Sequence, residues 1–417
     1  LPPGLKAADQ PALEAAWPAW IAEHDREIRR RLQRGDDDTI VNWLLLGTSF
    51  TSQPRAASGS SADSTKLPEA IAARTRDLIA ALAAPGRDER RLFARQLLAK
   101  EGYRVDVAAE RARTASHLFA EAERVILEQQ QHARELEAAR RLGDSSEEFA
   151  VRSRLFRERG LSLDTSIPPS FALERALQRT ATLGLVERGS VRRVAVIGPG
   201  LDFSDKSSGY DFYPQQTLQP YALLDTLVRL GLSDPATVQI ATFDISPRVN
   251  DHLTRARARA RAGSPYVVRL PFALGIPWKP DVVEYWRRLG DRIGTETPGG
   301  RPVAAARTLD VRTVRIRPHI ASRVVPEDLN IVAQRFDGPP FDLVVATNVF
   351  VYYDTLDQSL ALANVEAMLR PGGLLLSNNA LLELPALRMR SVGYLTVQYS
   401  DRPDDGDHVV WYRRGGP

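Results

Sequence analysis

From Val194 onward, short apolar runs alternate with helical stretches, and this alternation restricts the fold more than any other feature of the chain. Val194–Ile197, Val238–Phe243, Leu343–Ala346 and Leu374–Ser377 read as strands. Tyr221–Leu230, Pro247–Arg261 and Leu356–Leu369 read as the helices between them. Apolar strands separated by helices need cover on both faces, so they predict a parallel sheet between helical layers. Tyr394–Tyr399 and His408–Tyr412 are joined by a polar turn, Ser400–Gly406, and read as a hairpin that adds antiparallel strands at one edge.

Ahead of Pro168-Pro169 the pattern is helical. Leu13, Trp17, Trp20, Ile21, Ile28 and Leu32 recur at helical spacing, and Asp36-Asp37-Asp38 is expected to open a second helix, since carboxylates favour helix N-termini. Ser58–Thr65 reads as a loop. Pro68–Gln131 is helical with a break near Pro85-Gly86, and Arg134–Arg159 reads as a solvated helix or helical hairpin. Phe171–Leu185 is a helix leading into the α/β pattern. The expected division is an all-α domain over 1–165 and an α/β domain over 166–417, with an insert at 262–323 carrying a helix over Asp281–Ile293.

With 417 residues, a 43% apolar fraction and a 26% charged fraction, the chain can bury more than one core. The net charge of +4 is small, and lysine stands only at positions 6, 66, 100, 206 and 279, so the basic balance is carried by arginine, as in proteins from GC-rich genomes. No long block of like charge points to nucleic acid. Arg255, Arg257, Arg259 and Arg261 alternate with alanine and read as a solvated helix face. The absence of cysteine excludes disulfides, thiolate metal sites and a cysteine nucleophile. His24, His117, His132, His252, His319 and His408 show no ligand spacing, so no metal is expected. The apolar run Ile40–Gly47 is far short of the ~20 residues that span a bilayer. A cytoplasmic bacterial protein is expected; the chain begins at Leu1, which leaves a preceding targeting segment open.

Three motifs carry chemistry. In the first, the strand Val194–Ile197 runs into Gly198-Pro199-Gly200-Leu201-Asp202, where a Gly-x-Gly turn lets backbone approach a ligand closely. Phe203 stands where a dinucleotide fingerprint needs its third glycine, which argues against a nicotinamide or flavin nucleotide. In the second, Asp244 ends the strand Val238–Phe243 and precedes Ile245, placing a carboxylate where it can accept hydrogen bonds from ribose hydroxyls. The third is Phe341-Asp342-Leu343-Val344 with the loop Thr347-Asn348-Val349-Phe350-Val351-Tyr352-Tyr353, then a helix, then Leu369-Arg370-Pro371-Gly372-Gly373.

Taken in this order, the motifs resemble class I S-adenosylmethionine-dependent methyltransferases over about residues 170–417. The resemblance implies a Rossmann-like seven-stranded sheet with a C-terminal antiparallel hairpin, and S-adenosyl-L-methionine as cofactor. Asn348–Tyr352 and Val325–Asn330 locally resemble the chemotaxis-receptor carboxyl methyltransferases. That likeness implies that Asp328 accepts from the adenine amino group and that Leu329 packs beside the base or donates its backbone N–H to it. The cofactor-binding residues implied are Gly198, Pro199, Gly200, Asp202, Asp244, Ile245, Asp328, Leu329, Asn348 and Val349.

Asp202–Gln219 is long for this position and rich in Asp, Tyr and Gln. It reads either as an active-site lid or as a surface loop packed by its own aromatics. Trp43–Thr51 reads as a substrate-facing element or as the buried end of a helix and its turn. Candidate catalytic side chains are Tyr210, Asp211 and Tyr213 from the long loop, with Asn348 and Tyr352 after the strand Leu343–Ala346, because open α/β sheets bind ligands beyond their strands' carboxyl ends. Asn348 lacks the Pro-Pro-Tyr or Pro-Pro-Phe continuation of adenine- and glutamine-nitrogen methyltransferases. The expected activity is methyl transfer to a small molecule or protein side chain, with acceptor and oligomeric state left open. The alternative is a non-catalytic sensor that binds the same cofactor.

Overall fold

The computed structural model describes residues 9–56, 67–142, 167–204, 210–298, 309–402 and 405–416. Four helices come first: α1 (Gln10–Leu46), α2 (Leu67–Ala83), α3 (Glu89–Lys100) and α4 (Arg111–Leu142). The loop expected at Ser58–Thr65 and the charged stretch beyond Leu142 lie outside the described residues.

Helix α1 corrects one expectation. Asp36-Asp37-Asp38 does not open a second helix; the first runs through it without a break to Leu46. Its start is capped by Asp9, which accepts from Ala12 N at 2.9 Å. The triad survives mid-helix because its carboxylates have outside partners. Asp36 pairs with Arg248 at 3.2 Å and Asp38 with Arg124 at 3.4 Å. Burial beside Glu101 pushes Asp37 up to about 8, so it carries a proton at neutral pH.

Helix α5 (Ile167–Thr182) leads to the main sheet. Its strands are β1 (Arg193–Ile197), β2 (Gln239–Asp244), β6 (Val324–Asp328), β7 (Phe341–Ala346), β8 (Leu369–Ser377), β9 (Met389–Gln398) and β10 (Gly406–Arg414), in spatial order β6-β2-β1-β7-β8-β10-β9. The pairs β6–β2, β2–β1, β1–β7 and β7–β8 are parallel, whereas β10 is antiparallel to both β8 and β9. The terminal hairpin is therefore present and reverses one strand near the edge. Helices α6 (Gln219–Arg229), α7 (Pro247–Arg261) and α10 (Thr355–Met368) connect the parallel strands. One apolar cluster packs Val194, Val196, Ile240 and Val345 against α5, α6 and α7; another packs Ala195, Ile197, Phe243 and Val344 against α10. On α7 Arg255, Arg259 and Arg261 are exposed and Arg257 is half-buried, donating to Ser322 O at 3.3 Å, while Ala256 and Ala260 are buried.

The insert holds more than its expected helix. Besides α8 (Pro280–Arg288) it forms β3 (Tyr266–Ala273), β4 (Gly294–Thr297) and β5 (Leu309–Ile316), a separate antiparallel sheet in the order β3-β5-β4. The alternating burial of Tyr266, Val268, Leu270 and Phe272 is the half-buried strand pattern, hidden in the sequence by Pro271 and by Arg269 on its outer face. The short helix α9 (Pro318–Ala321) returns the chain to β6.

The helical part is fastened to the sheet part by one buried carboxylate. Asp211 accepts from Trp43 Nε1, from Thr48 N and Oγ1 at 3.0 and 2.7 Å, and from Ser49 N and Oγ at 2.9 and 2.6 Å. Burial pulls its pKa up, but the bonds from Ser49, Trp43 and Thr48 outweigh burial and hold it below the usual value. The Trp43 stretch is thus the buried end of α1 and its turn. Asp211→Ala leaves these donors buried without an acceptor and is expected to cost ~2–4 kcal/mol in urea unfolding. The depressed pKa sets the sign: wild type holds this stability above pH 4 and loses it as pH falls, so the gap between the two proteins narrows in acid.

Candidate functional site

The parallel strands all end at one edge of the sheet, and the predicted binding residues meet there. β1 ends at Ile197, and the chain turns through Gly198 (φ 65°) and Gly200 (φ 72°), a region that glycine enters without strain. Gly198 N donates to Phe243 O at 2.9 Å, tying the turn to the end of β2. A Cβ at Gly198 would lie 2.7 Å from Val349 Cγ2, so the turn also touches the loop after β7.

Asp244 ends β2 and is 6% exposed. Burial drives its pKa up to about 7, against the opposing effects of a hydrogen bond from Ser246 N at 2.8 Å and the charge of Arg248. Asp328, paired with it in register on β6, pushes the same way as burial. Leu329 N donates to Asp244 O at 3.3 Å, and Ile245 and Leu329 share one apolar cluster.

Beyond β7, Asn348 has φ 57°, a conformation no other non-glycine residue adopts among the described residues. It is held there by Asn378: Asn348 N donates to Asn378 Oδ1, and Asn378 Nδ2 donates back to Asn348 Oδ1, both at 2.8 Å. Backbone strain retained at the mouth of a sheet is a mark of functional positions. Thr347 Oγ1 accepts from Gln219 Nε2 at 2.5 Å, fixing the start of the loop to α6.

Gly198, Pro199, Gly200, Asp244, Ile245, Leu329, Asn348 and Val349 therefore gather at one edge. Asp328 stands at its rim, exposed and paired with Arg29 at 2.8 Å. Asp202 is buried just past the glycine turn, and its N–H donates to Gln216 O at 2.8 Å in an antiparallel bridge that closes the base of the long loop. Tyr352 is buried in a short turn over Phe350–Tyr352, and its carbonyl accepts from Arg31 at 2.7 Å. Tyr210 and Tyr213 belong to a different cluster, with Leu309 of β5. The catalytic role expected of Asp211 is corrected: its carboxylate is fully engaged by five donors and serves as the anchor described above. Residues 205–209 of the loop lie outside the described residues.

Two contributors were not anticipated. Helix α1 crosses the same edge: His24 contacts Asp357 at 2.6 Å, Asp25 accepts from Asn330 Nδ2 at 2.7 Å, and Ile28, 1% exposed, packs in the cluster of Ile197, Phe243 and Leu329. Periodicity marked α1 as a helix but not what it covers. Phe203 is fully buried between Trp43 and Phe93 of the helical part, and its carbonyl accepts from Arg90. The residue that breaks the dinucleotide fingerprint is thus a packing contact between the two parts.

Among the described residues no helix is long and apolar enough to cross a membrane. No family model matches the chain. A chemotaxis protein methyltransferase from Klebsiella aerogenes is 37% identical over 68 residues, which are 16% of this chain and 23% of that protein. The chain thus covers less than a quarter of that relative. The N-methyltransferase NodS from Bradyrhizobium japonicum WM9 is 13% identical with a TM-score of 0.30, over 58% of this chain and 95% of that one. The magnesium protoporphyrin IX methyltransferase of Synechocystis PCC 6803 is 10% identical with a TM-score of 0.28, over 59% and 79%. The assignment of fold rests on the chain itself. Five consecutive parallel strands with β1 central, closed by one reversed strand before the edge, form the Rossmann-like sheet of the class I methyltransferases.

Two outcomes follow from this geometry. Gly198→Ala must adopt a left-handed backbone and displace Val349, and is expected to lower stability by ~1–3 kcal/mol in chemical denaturation. Asp244 is raised from 3.8 to about 7, so the native state favours its neutral form. Its contribution to stability is therefore largest below pH 4 and is lost as pH rises to 7. Asp244→Asn should then melt higher than wild type at pH 8, by roughly 1–3 kcal/mol, with little difference at pH 4.

Proposed function

We propose that the protein transfers a methyl group from S-adenosyl-L-methionine to an acceptor whose nucleophilic atom is presented beside Asn348. The observation that carries this reading is the buried, weakly acidic Asp244 at the end of β2, directly after Phe243, whose carbonyl accepts from Gly198 N of the glycine turn. A carboxylate withdrawn from water at this cost is matched by hydroxyl donors that arrive with a ligand, and a ribose supplies two. The cofactor would bring an electrophilic methyl on a sulfonium. The chain's own part is to bind, orient and exclude water.

In this reading Gly198, Pro199 and Gly200 let the backbone approach the nucleoside, and Asp244 accepts from the ribose. Ile245 and Leu329 pack on the base. Asp202 lies past the turn, toward the amino-acid end. Asn348 and Val349 border the reacting methyl, and Tyr210, Tyr213 and Tyr352 are the acceptor-side groups. Residues 1–165 and the insert at 262–323 would shape the acceptor site, since such additions are where this fold builds substrate contacts.

The test is calorimetry with S-adenosylhomocysteine. Wild type is expected to bind, with affinity rising as pH increases through about 7 and Asp244 ionises. Asp244→Ala should lose ~10–100-fold, equivalent to ~1.5–3 kcal/mol, and its remaining affinity should not change across that pH range. Equal affinity in the two proteins would remove Asp244 from the site and overturn the proposal.

A further inference from the structure

We infer that Asn378, directly after β8, is a positioning residue that sets the hydrogen-bonding polarity of the acceptor site, so that the atom methylated is a negatively charged oxygen and not an amine nitrogen. The inference rests on the methyl-transfer reading and deepens it by naming the class of acceptor.

Sheet topology places Asn348 at a ligand crevice. From β1 the chain winds outward to β2 and β6, then returns past β1 to β7, so the strand order reverses between β1 and β7. In open α/β sheets a ligand lies beyond the strand ends at such a reversal. The loops that bound it here are Gly198–Gly200 after β1 and Thr347–Val349 after β7, adjacent through Gly198 and Val349. Asn348 stands there exposed, in a left-handed backbone conformation. Two more elements reach the same edge. β8 ends at Ser377, immediately before the buried Asn378, and β10, antiparallel to β8, begins there with Gly406 and Asp407.

The two ends of a side-chain amide are alike in shape, and their partners tell them apart. One partner here is unambiguous. Asn348 N is a backbone donor, so the Asn378 atom that it meets at 2.8 Å is the oxygen. The other end of Asn378 is then Nδ2, which donates to Asn348 Oδ1 at 2.8 Å and to Asp407 Oδ1 at 3.4 Å. Tyr399 OH donates to Asp407 Oδ2 at 2.5 Å and holds that carboxylate in place. With its oxygen occupied, Asn348 has Nδ2 left for a ligand, and that atom makes no hydrogen bond within the described residues. The site therefore offers a donor. An amine nitrogen that accepts this bond has no lone pair left for attack, and an ammonium ion has none at all. An oxyanion has lone pairs to spare: one accepts from Nδ2 while another attacks. In that step the oxygen's electron pair forms the new O–C bond as the C–S bond breaks. The C–S pair stays on sulfur, so oxyanion and sulfonium become a neutral methyl ester or ether and a neutral thioether. No proton is lost, and no general base is required.

The experiment follows the amide signals of the full chain, isotope-labelled on nitrogen and saturated with S-adenosylhomocysteine, by nuclear magnetic resonance. The probes are acetate and acetamidinium, which share one shape; the first only accepts hydrogen bonds and the second only donates them. In wild type, acetate should shift the Asn348 side-chain amide signal saturably and bind roughly tenfold more tightly there than acetamidinium. A second oxyanion, para-nitrophenolate, separates the sources: tighter binding of acetate assigns a carboxylate acceptor, and tighter binding of para-nitrophenolate an aryl oxide. Asn378→Asp combined with Asp407→Asn reverses the relay, because the new carboxylate accepts from both Asn348 N and Asn348 Nδ2 and turns Asn348 Oδ1 outward. Acetamidinium should then bind more tightly than acetate, read from the backbone amides of Asn348 and Val349. A merely structural role would weaken both probes alike and leave their order unchanged, and that result would overturn the inference, as would equal binding of the two by wild type. If the double variant does not fold, Asn348→Asp presents only acceptor oxygens and should give the same reversal; a preference for acetate that persists there has the same force. Failure of wild type to bind S-adenosylhomocysteine, measured first by calorimetry, would instead defeat the methyl-transfer reading on which the inference stands.

Discussion

A carboxylic acid removed from water at the end of a parallel strand is the constraint around which the rest of the site is arranged. Asp244 is placed by the β2 ladder, and neighbours fix its surroundings in turn: the glycine turn on one side, β6 with Asp328 on the other, and α1 above. The raised pKa means that the fold carries a cost here instead of relieving it. A ligand donating to that acid would offset the cost on binding, which couples occupancy of the site to stability.

That site is built from both parts of the chain, so the attachment between them matters as much as the sheet. Arg74 is fully buried and donates to four carbonyls where α1 ends, including Gln53 O at 3.0 Å and Pro54 O at 3.1 Å. A cation at this point complements the carbonyl end of the helix. Asp211, the buried Phe203 and Arg90 complete the junction a few residues away. The same helix that is fixed there lies across the carboxyl edge of the sheet through Asp25, Ile28, Arg29 and Arg31. Motion of α1 would therefore alter the site through a rigid element tens of ångströms long, at ~1.5 Å per residue.

Much of the α/β part could be read in the sequence because its strands are apolar on both faces and its turns need glycine. Val194–Gly200 and Leu343–Asn348 state strand, turn and ligand edge in a single stretch each. The insert was not legible. β3 alternates between a buried and a half-buried face, β5 buries Arg312 beside Thr313 and Val314, and Arg269, Arg312 and Arg315 give these strands the composition of solvated loops. The extent of α1 was misread for a related reason: three consecutive aspartates favour a helix start locally, and only the distant Arg248 and Arg124 make them tolerable in mid-helix. Asp211 was read as chemistry because a carboxylate in a tyrosine-rich loop has the same letters whether it faces a substrate or five donors.

Asp211 and Asp244 argue the distinction that the sequence leaves unmade. Both are buried, at 3% and 6% exposure, and burial pushes both toward the neutral form. At Asp211 five N–H and O–H donors from Trp43, Thr48 and Ser49 reverse that push, so the fold itself satisfies the charge. At Asp244 the donors supplied by the chain fall short, and the acid stays near pH 7. A structural carboxylate is one that the fold completes; a binding carboxylate is one that it places, shields and leaves incomplete. On this criterion only one of the two acids changes its role from the motif reading: the loop aspartate joins the two parts of the molecule, and the strand-end aspartate keeps an acceptor that the chain's own donors leave incomplete.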